Sequence, residues 1–155
     1  MKIIDLSQTD KIIIENELLN RAHFFDEQGL KKDHWSLNQW LNLSDSYCLF
    51  INQIDFDGFI LMIDQIDSWH LLKIIVNKSQ RERGIAQTML ESLISFTEKE
   101  KPIHLEVRES NKSAISLYKK LGFQEVRSIP RCYSDGERGI GFMYTPKVDF
   151  PMKNC

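Results

Sequence analysis

Between residues 81 and 86 the chain reads Arg81-Glu82-Arg83-Gly84-Ile85-Ala86, directly after an apolar run at 71–76 and a polar step at 77–80. This order suits an anion. The first N–H groups of a helix have no internal acceptor, and the helix dipole adds partial positive charge at the same end. Gly84 and the small Ala86 let a diphosphate come close to the backbone, and Arg81 and Arg83 add charge at the rim. No Lys-Ser/Thr pair follows the glycine, so the segment is not a Walker A loop and calls for no magnesium; it is not G-x-G-x-x-G either. Six residues are a short pattern, however. An ordinary capped helix behind a solvated charge run reads the same way.

A second group of candidates follows at 103–122. Ile103, Leu105 and Val107 share one strand face, and His104, Glu106 and Arg108 share the other. Ala114, Leu117, Tyr118 and Leu121 then fall at i, i+3, i+4 and i+7, which predicts a helix closed by Gly122 in the C′ position. A carboxylate such as Glu106 can accept a proton, and a phenol such as Tyr118 can give one. By pattern alone the bland reading of each is the commoner one. Glu106 is then a solvated strand carboxylate paired with Arg108 or a lysine, Tyr118 a core tyrosine with its hydroxyl at the edge, and Asn111 an N-cap. His34, His70 and His104 lack ligand spacing and read as structural, and His23 is assigned no chemistry. Trp35, Trp40 and Trp69 read as packing rather than as a stacking platform for bases. Cys48, Cys132 and Cys155 are scattered and odd in number, as expected of reduced thiols, and no metal site is predicted.

The elements that must hold these residues follow from the period of the apolar positions. A strand is expected at 2–6 and a helix at 10–23, capped by Ser7 or Thr9 and burying Ile13, Leu18 and Leu19. Residues 24–32 read as a loop punctuated by Gly29, and 36–43 as a second helix. Strands are predicted at 47–52, 59–65 and 69–76, with Asp57-Gly58 as a turn signal. A helix over 85–99, a strand over 103–107, the helix through Tyr118, and strands at 123–129 and 141–145 complete the chain. The order is β-α-α-β-β-β-α-β-α-β-β, an α/β (α+β) layer fold on a mixed sheet. Residues 1–148 read as one domain and 149–155 as a loose tail.

The totals agree with a soluble globular domain: 155 residues, 42% hydrophobic and 27% charged. A formal net charge of −2 gives no overall nucleic-acid footprint. No apolar run is long enough to span a membrane, and the start, Met1-Lys2-Ile3-Ile4-Asp5, turns acidic too soon for a signal peptide. The expected location is the cytoplasm.

Taken together, R-x-x-G-x-A at 81–86 and L-E-V-R-x-S-N-x-x-A-x-x-L-Y-x-x-x-G-F at 105–123 resemble the GNAT superfamily of acetyltransferases. Within it the chain is similar to RimI-type enzymes, which acetylate the N-terminal alanine of a small-subunit ribosomal protein. The similarity extends to Arg21-Ala22-His23-Phe24-Phe25, Arg131-x-Tyr133 and Asp135-Gly136. The resemblance implies a mostly antiparallel sheet whose central strands splay apart for acetyl-CoA. The backbone of Ile74-Ile75-Val76 would pair with the pantetheine arm like an added strand. The residues 81–86 would seat the pyrophosphate, and Asn111 would touch the cofactor. It implies Glu106 as general base, directly or through water, and Tyr118 as general acid in a direct transfer. An N-terminal amine has a pKa of about 7.7–8.0 and must lose a proton before it attacks. A free N–H on the splayed strand would stabilise the oxyanion. The partner implied is a protein N-terminus, a ribosomal protein first; a small-molecule amine is the alternative, a non-catalytic acyl-CoA-binding module a more distant one, and the oligomeric state is left open. Some positions depart from the family. Ala86 stands for a second glycine, Asp26-Glu27 for a Pro-Trp pair, and Arg138-Gly139 where an acidic residue is usual. Cys132 and Ser134 flank Tyr133 in a shorter turn. Except for Ala86, these places are expected to border the peptide groove.

Overall fold

The apolar run at 69–76 and the alternating apolar and polar residues at 103–108 form strands that are buried at every second position. They form the centre of a seven-stranded sheet in a computed structural model that describes residues 2–5, 15–30, 33–44, 46–51, 57–97 and 101–146. The strands are β1 (Lys2–Asp5), β2 (Tyr47–Ile51), β3 (Gly58–Asp64), β4 (Trp69–Val76), β5 (Ile103–Arg108), β6 (Gln124–Ile129) and β7 (Gly139–Tyr144). The helices are α1 (Glu15–Leu30), α2 (Leu37–Leu41), α3 (Ile85–Thr97) and α4 (Lys112–Lys120). The spatial order is β1-β2-β3-β4-β5-β7-β6, parallel at β1–β2 and β4–β5 and antiparallel elsewhere. The element order is the one expected. Of the earlier expectations, Ser7, Thr9, residues 10–14 and the tail from 147 lie outside the described residues.

Each face of the sheet carries one core. On one side Met89, Leu90 and Leu93 of α3 and Tyr118 of α4 cover Trp69, Leu71, Leu105, Val107 and Phe142. On the other, Leu18, Leu19 and Ala22 of α1 and Trp40 of α2 cover Leu49, Ile51, Phe59, Leu61 and Ile75.

The first helix departs from the expectation that 24–32 is a loop: it runs on to Leu30. Gly29 does not end it, because tertiary contacts hold the last turns. Asp26 is fully buried and accepts from Lys73 Nζ (2.9 Å), Trp40 Nε1 (3.1 Å) and the Trp35 N–H (2.8 Å). Lys73 Nζ also donates to the Asp33 carbonyl at 3.0 Å. Burial pulls the Lys73 ammonium below the usual lysine range, and Asp26 opposes that shift. Asp26-Glu27 therefore sits within α1 and not on a loop. Asp26 instead ties α1 and α2 to β4.

The central strands part where the register breaks. Trp69, His70 and Leu71 pair with Ile103, His104 and Leu105, and there the β4–β5 ladder stops. At the same level β3 slips by one residue, with Met62 opposite Leu71 and Leu61 opposite Lys73, so Leu72 is the extra residue of a bulge. A bulge sharpens local twist and bends its strand. Beyond it β4 follows β3 to Val76, while β5 follows β7 to Arg108. The sheet opens between them into a wedge-shaped gap, as the resemblance implied.

Candidate functional site

The loop that follows β4 is a backbone device. A single 3-10 turn over Lys78–Gln80, capped by Asn77, leads into it. Glu82 (φ 64°) and Gly84 (φ 79°) are both left-handed, the backbone habit from which anion-binding concavities are built. The first helical bond of α3 runs from the Thr88 N–H to the Gly84 carbonyl, 3.0 Å. The N–H groups of Ile85, Ala86 and Gln87 precede it, and Gly84 brings no side-chain oxygen to cap them. A Cβ built on Gly84 would meet nothing within 4 Å, so the concavity is open. Arg81 Nε donates to the Val76 carbonyl at 3.3 Å, and Arg83 Nη1 donates to Gln80 Oε1. Both guanidiniums stay exposed at the rim.

Glu106 lies on the β5 face opposite Leu105 and Val107. Its two carboxylate oxygens have different partners. Oε2 accepts from His70 Nε2 of β4 at 2.6 Å, and Oε1 accepts from Arg127 Nη2 of β6 at 2.6 Å. The pairing with Arg108 or a lysine, considered from sequence, does not occur. The His70 hydrogen bond is the larger cause, with burial opposing and Arg127 adding, and the carboxyl is held at about 2. His70, read from sequence as structural, is thus part of this cluster.

Tyr118 approaches from the other face. It packs on Phe123 and Phe142, ring centroids 5.6 and 6.0 Å away. Burial, with Tyr133 adding to it, pushes its phenol well above the usual range. The hydroxyl keeps its proton at any ordinary pH, and no hydrogen bond to another described residue engages it. Glu106 and Tyr118 therefore flank the sheet from opposite sides and do not touch each other. Asn111 takes the N-cap position: its Oδ1 accepts from the Ala114 N–H at 3.2 Å and from Ser113 Oγ at 3.1 Å. Ile74-Ile75-Val76 line the open edge of β4, with Ile75 buried against α1 and Ile74 packed toward α3.

Residues 15–123 match the sequence profile of the acetyltransferase (GNAT) family. The chain belongs to that family. The N-alpha-acetyltransferase of Saccharolobus solfataricus is 41% identical over 71 residues, 44% of this chain and 42% of that protein. The ribosomal protein bS18-alanine N-acetyltransferase of Escherichia coli is 37% identical over 86 residues, 52% of this chain and 57% of that protein. The chain thus matches about half the length of these relatives. The crystal structure of the ribosomal-protein-S18-alanine N-acetyltransferase from Escherichia coli superposes with a TM-score of 0.78 and 27% identity, covering 90% of this chain and 94% of that one.

GNAT acetyltransferases use acetyl-CoA, and the residues present fit it. The uncapped, open start of α3 suits a pyrophosphate, and the unpaired edge of β4 suits an amide-bearing arm. Among the described residues no group of His, Cys, Asp and Glu could hold a metal, and no helix is long and apolar enough to cross a membrane.

The flank of the gap beside Glu106 is knitted by Arg108, whose partners are not Glu106 but three acidic residues. Arg108 Nε and Nη2 donate to Asp33 (2.8 and 2.9 Å), and Nη1 donates to Asp135 and to Glu137 Oε2 (2.7 Å). The guanidinium also lies 4.0 Å from the Tyr133 ring centroid. Glu137 Oε1 accepts from the Ser110 N–H at 2.9 Å. The segment before α2 and the β6–β7 connection are thereby tied to the end of β5. The hint in the sequence was the acidic pair Asp135 and Glu137 near Arg131–Gly139, and their partner Arg108 is 27 and 29 residues away.

Proposed function

We propose that this GNAT is an acetyl-CoA-dependent N-acetyltransferase acting on a protein N-terminal amine, with the N-terminal alanine of a ribosomal protein as its first candidate acceptor. The observation that carries the reading is the wedge between β4 and β5: an anion seat at 81–86 lies at the end of one wall, and the carboxylate of Glu106 lies on the other. The relatives named above support a protein acceptor. Asp33, Asp135 and Glu137, which could have made an acidic pocket for a polyamine, are engaged by Arg108.

In this reading the start of α3, with Arg81 and Arg83, holds the pyrophosphate, Ile74-Ile75-Val76 hold the arm, and Asn111 meets the cofactor from α4. Bound acetyl-CoA supplies the acetyl group as a thioester. Glu106 draws in the acceptor's ammonium and takes its proton, directly or through water, while His70 fixes Oε2 and so the carboxylate plane. A free N–H near the Leu72 bulge faces developing negative charge. As the amine displaces the thioester sulfur, Tyr118 would give its proton to the leaving thiolate from the α4 side, which its retained phenol allows.

The test is incubation of the purified protein with acetyl-CoA and a panel of N-terminal peptides, read by mass spectrometry, with spermidine and aminoglycosides alongside. Acetylation of peptides beginning with alanine is expected. Turnover of the small amines with none of the peptides would move the acceptor assignment to the small-molecule alternative. Turnover of nothing, with acetyl-CoA bound, would favour a binding module.

A further inference from the structure

Gly141 of β7 stands in one register row with two charged residues: Glu106 on β5 and Arg127 on β6. A Cβ at Gly141 would fall 2.7 Å from Arg127 Cγ and 3.1 Å from its Nε. The bare backbone there is what lets the Arg127 side chain lie across β7 and reach Glu106. Its hold is slight. The Arg127 side chain is 62% exposed, against 22% for Glu106. Among the described residues its guanidinium makes no hydrogen bond other than that to Oε1. The other oxygen is fixed by His70, whose side chain is only 27% exposed. Glu106 therefore has one settled oxygen and one held by a long, solvated cation that can swing away.

That second oxygen matters because a base saturated by two donors is a poor proton acceptor. The groups facing Glu106 are His70 from β4, Arg127 from β6, and Cys132 and Tyr133 from the β6–β7 connection, with Arg108 two residues along β5 on the same face. Of the cations, Arg108 is committed to Asp33, Asp135 and Glu137, and His70 is packed in place. Arg127 is the one free to leave.

We propose, resting on the acetyltransferase reading above, that Arg127 stands in for the acceptor's ammonium: it holds Oε1 of Glu106 in the resting enzyme and the incoming amine displaces it across Gly141. The exchange is cation for cation, so the carboxylate is never left bare, and an exposed ion pair opens at little cost. The same exchange has a sense of direction. Once acetylated, the acceptor is a neutral amide and cannot compete for Oε1. Arg127 returns and helps expel the product.

The experiment uses the full chain without acetyl-CoA, labelled for 13C detection of the Glu106 carboxyl and 15N detection of Arg127 Nε. Two probes carry an ammonium, alaninamide and ethylammonium; N-acetylalaninamide carries none. The ammonium probes should shift the Glu106 carboxyl and release the Arg127 Nε signal together, and the neutral amide should move neither. In kinetics, Arg127→Ala should lower the KM for the acceptor roughly two- to five-fold, leave the KM for acetyl-CoA unchanged, and be reversed by Arg127→Lys. Arg127 Nε unmoved while either probe shifts Glu106, or a raised acceptor KM in Arg127→Ala, overturns the proposal. Displacement by both probes without acetylation of any peptide leaves Arg127 as assigned and overturns the peptide acceptor instead.

Discussion

The anion seat at 81–86 and the face around Glu106 are built on opposite plans. The proposed seat is six consecutive residues, and the groups it would offer a ligand are backbone N–H groups set by two left-handed residues and a helix start. The face around Glu106 is assembled from residues far apart in sequence. His70 and Glu106 are 36 apart, Glu106 and Arg127 are 21 apart, and Arg108 and Asp33 are 75 apart. These three bonds are all between side chains. A backbone device tolerates change in its side chains and fails only when its φ values are disturbed. A side-chain assembly fails at any one member, and can be re-specified by a few substitutions. A backbone seat therefore suits a ligand gripped through main-chain amides, and a side-chain face suits a partner whose selection turns on individual residues.

The contrast breaks most sharply at Glu106. Glu106→Gln is expected to lower kcat by about 10²–10⁴-fold, the range of a lost general base, with acetyl-CoA affinity unchanged by calorimetry. Tyr118→Phe should also lose rate while keeping that affinity, because its hydroxyl is not part of the seat. Unchanged turnover in either variant would remove that residue from the reaction. Next in size is Asp26→Ala. It would leave the buried Lys73 ammonium without its carboxylate, with only the Asp33 carbonyl, and the Trp40 Nε1 donor without this acceptor, a loss of about 3–5 kcal/mol measurable by urea unfolding. A loss under about 1 kcal/mol would mean that water replaces the carboxylate there.

These two plans also explain what could be read from the residues alone. The element order, the strand at 69–76, the start of α3 and the closing Gly122 (φ 91°) all rest on local period and turn chemistry, and all were legible. Glu106, Asn111 and Tyr118 were placed by resemblance to a family motif, not by their spacing. Their partners were not legible. To find His70 beside Glu106 one must know that β4 and β5 are parallel neighbours, and to find Arg127 one must know that β7 lies between β5 and β6 and carries a glycine in that row. The extension of α1 past residue 23 was missed for a related reason: buried bonds from Lys73 and Trp40 to Asp26 outweigh the local signal of Gly29. Lys73 itself was a visible clue, a lone lysine inside the apolar run Leu71-Leu72-Lys73-Ile74-Ile75.

Within the seat, backbone and side chain can be separated by two substitutions of different size. Gly84→Val places a β-branched residue at φ 79°, a conformation that costs about 1–2 kcal/mol per L-residue. Acetyl-CoA affinity should fall about ten-fold. Arg81→Ala removes only a rim charge and a 3.3 Å bond to Val76, and should weaken binding by a few-fold that fades with added salt. If Arg81→Ala proved as damaging as Gly84→Val, the seat would be a side-chain site after all, built on the same plan as the face around Glu106.

The smallest effect lies in the pH dependence of stability. Glu106 is held at about 2 in the folded chain, against about 4.3 for an ordinary glutamate. Between those values the unfolded chain binds more protons than the folded one, so stability rises with pH across that window. The contribution is complete above the ordinary value and is lost as pH falls toward 2. A shift of this size corresponds to about 3 kcal/mol at face value, but solvent reaches both Glu106 and Arg127. Discounted for that screening, about 1 kcal/mol remains. Wild type should then unfold about 2–4 °C above Glu106→Gln at pH 6, and the gap should close steadily from about pH 4.3 down to 2. A gap that stayed constant over that range would mean that His70 and Arg127 hold glutamine as well as glutamate. Glu106 would then be a neutral packing contact, and the face that now contrasts with the anion seat would lose its charge.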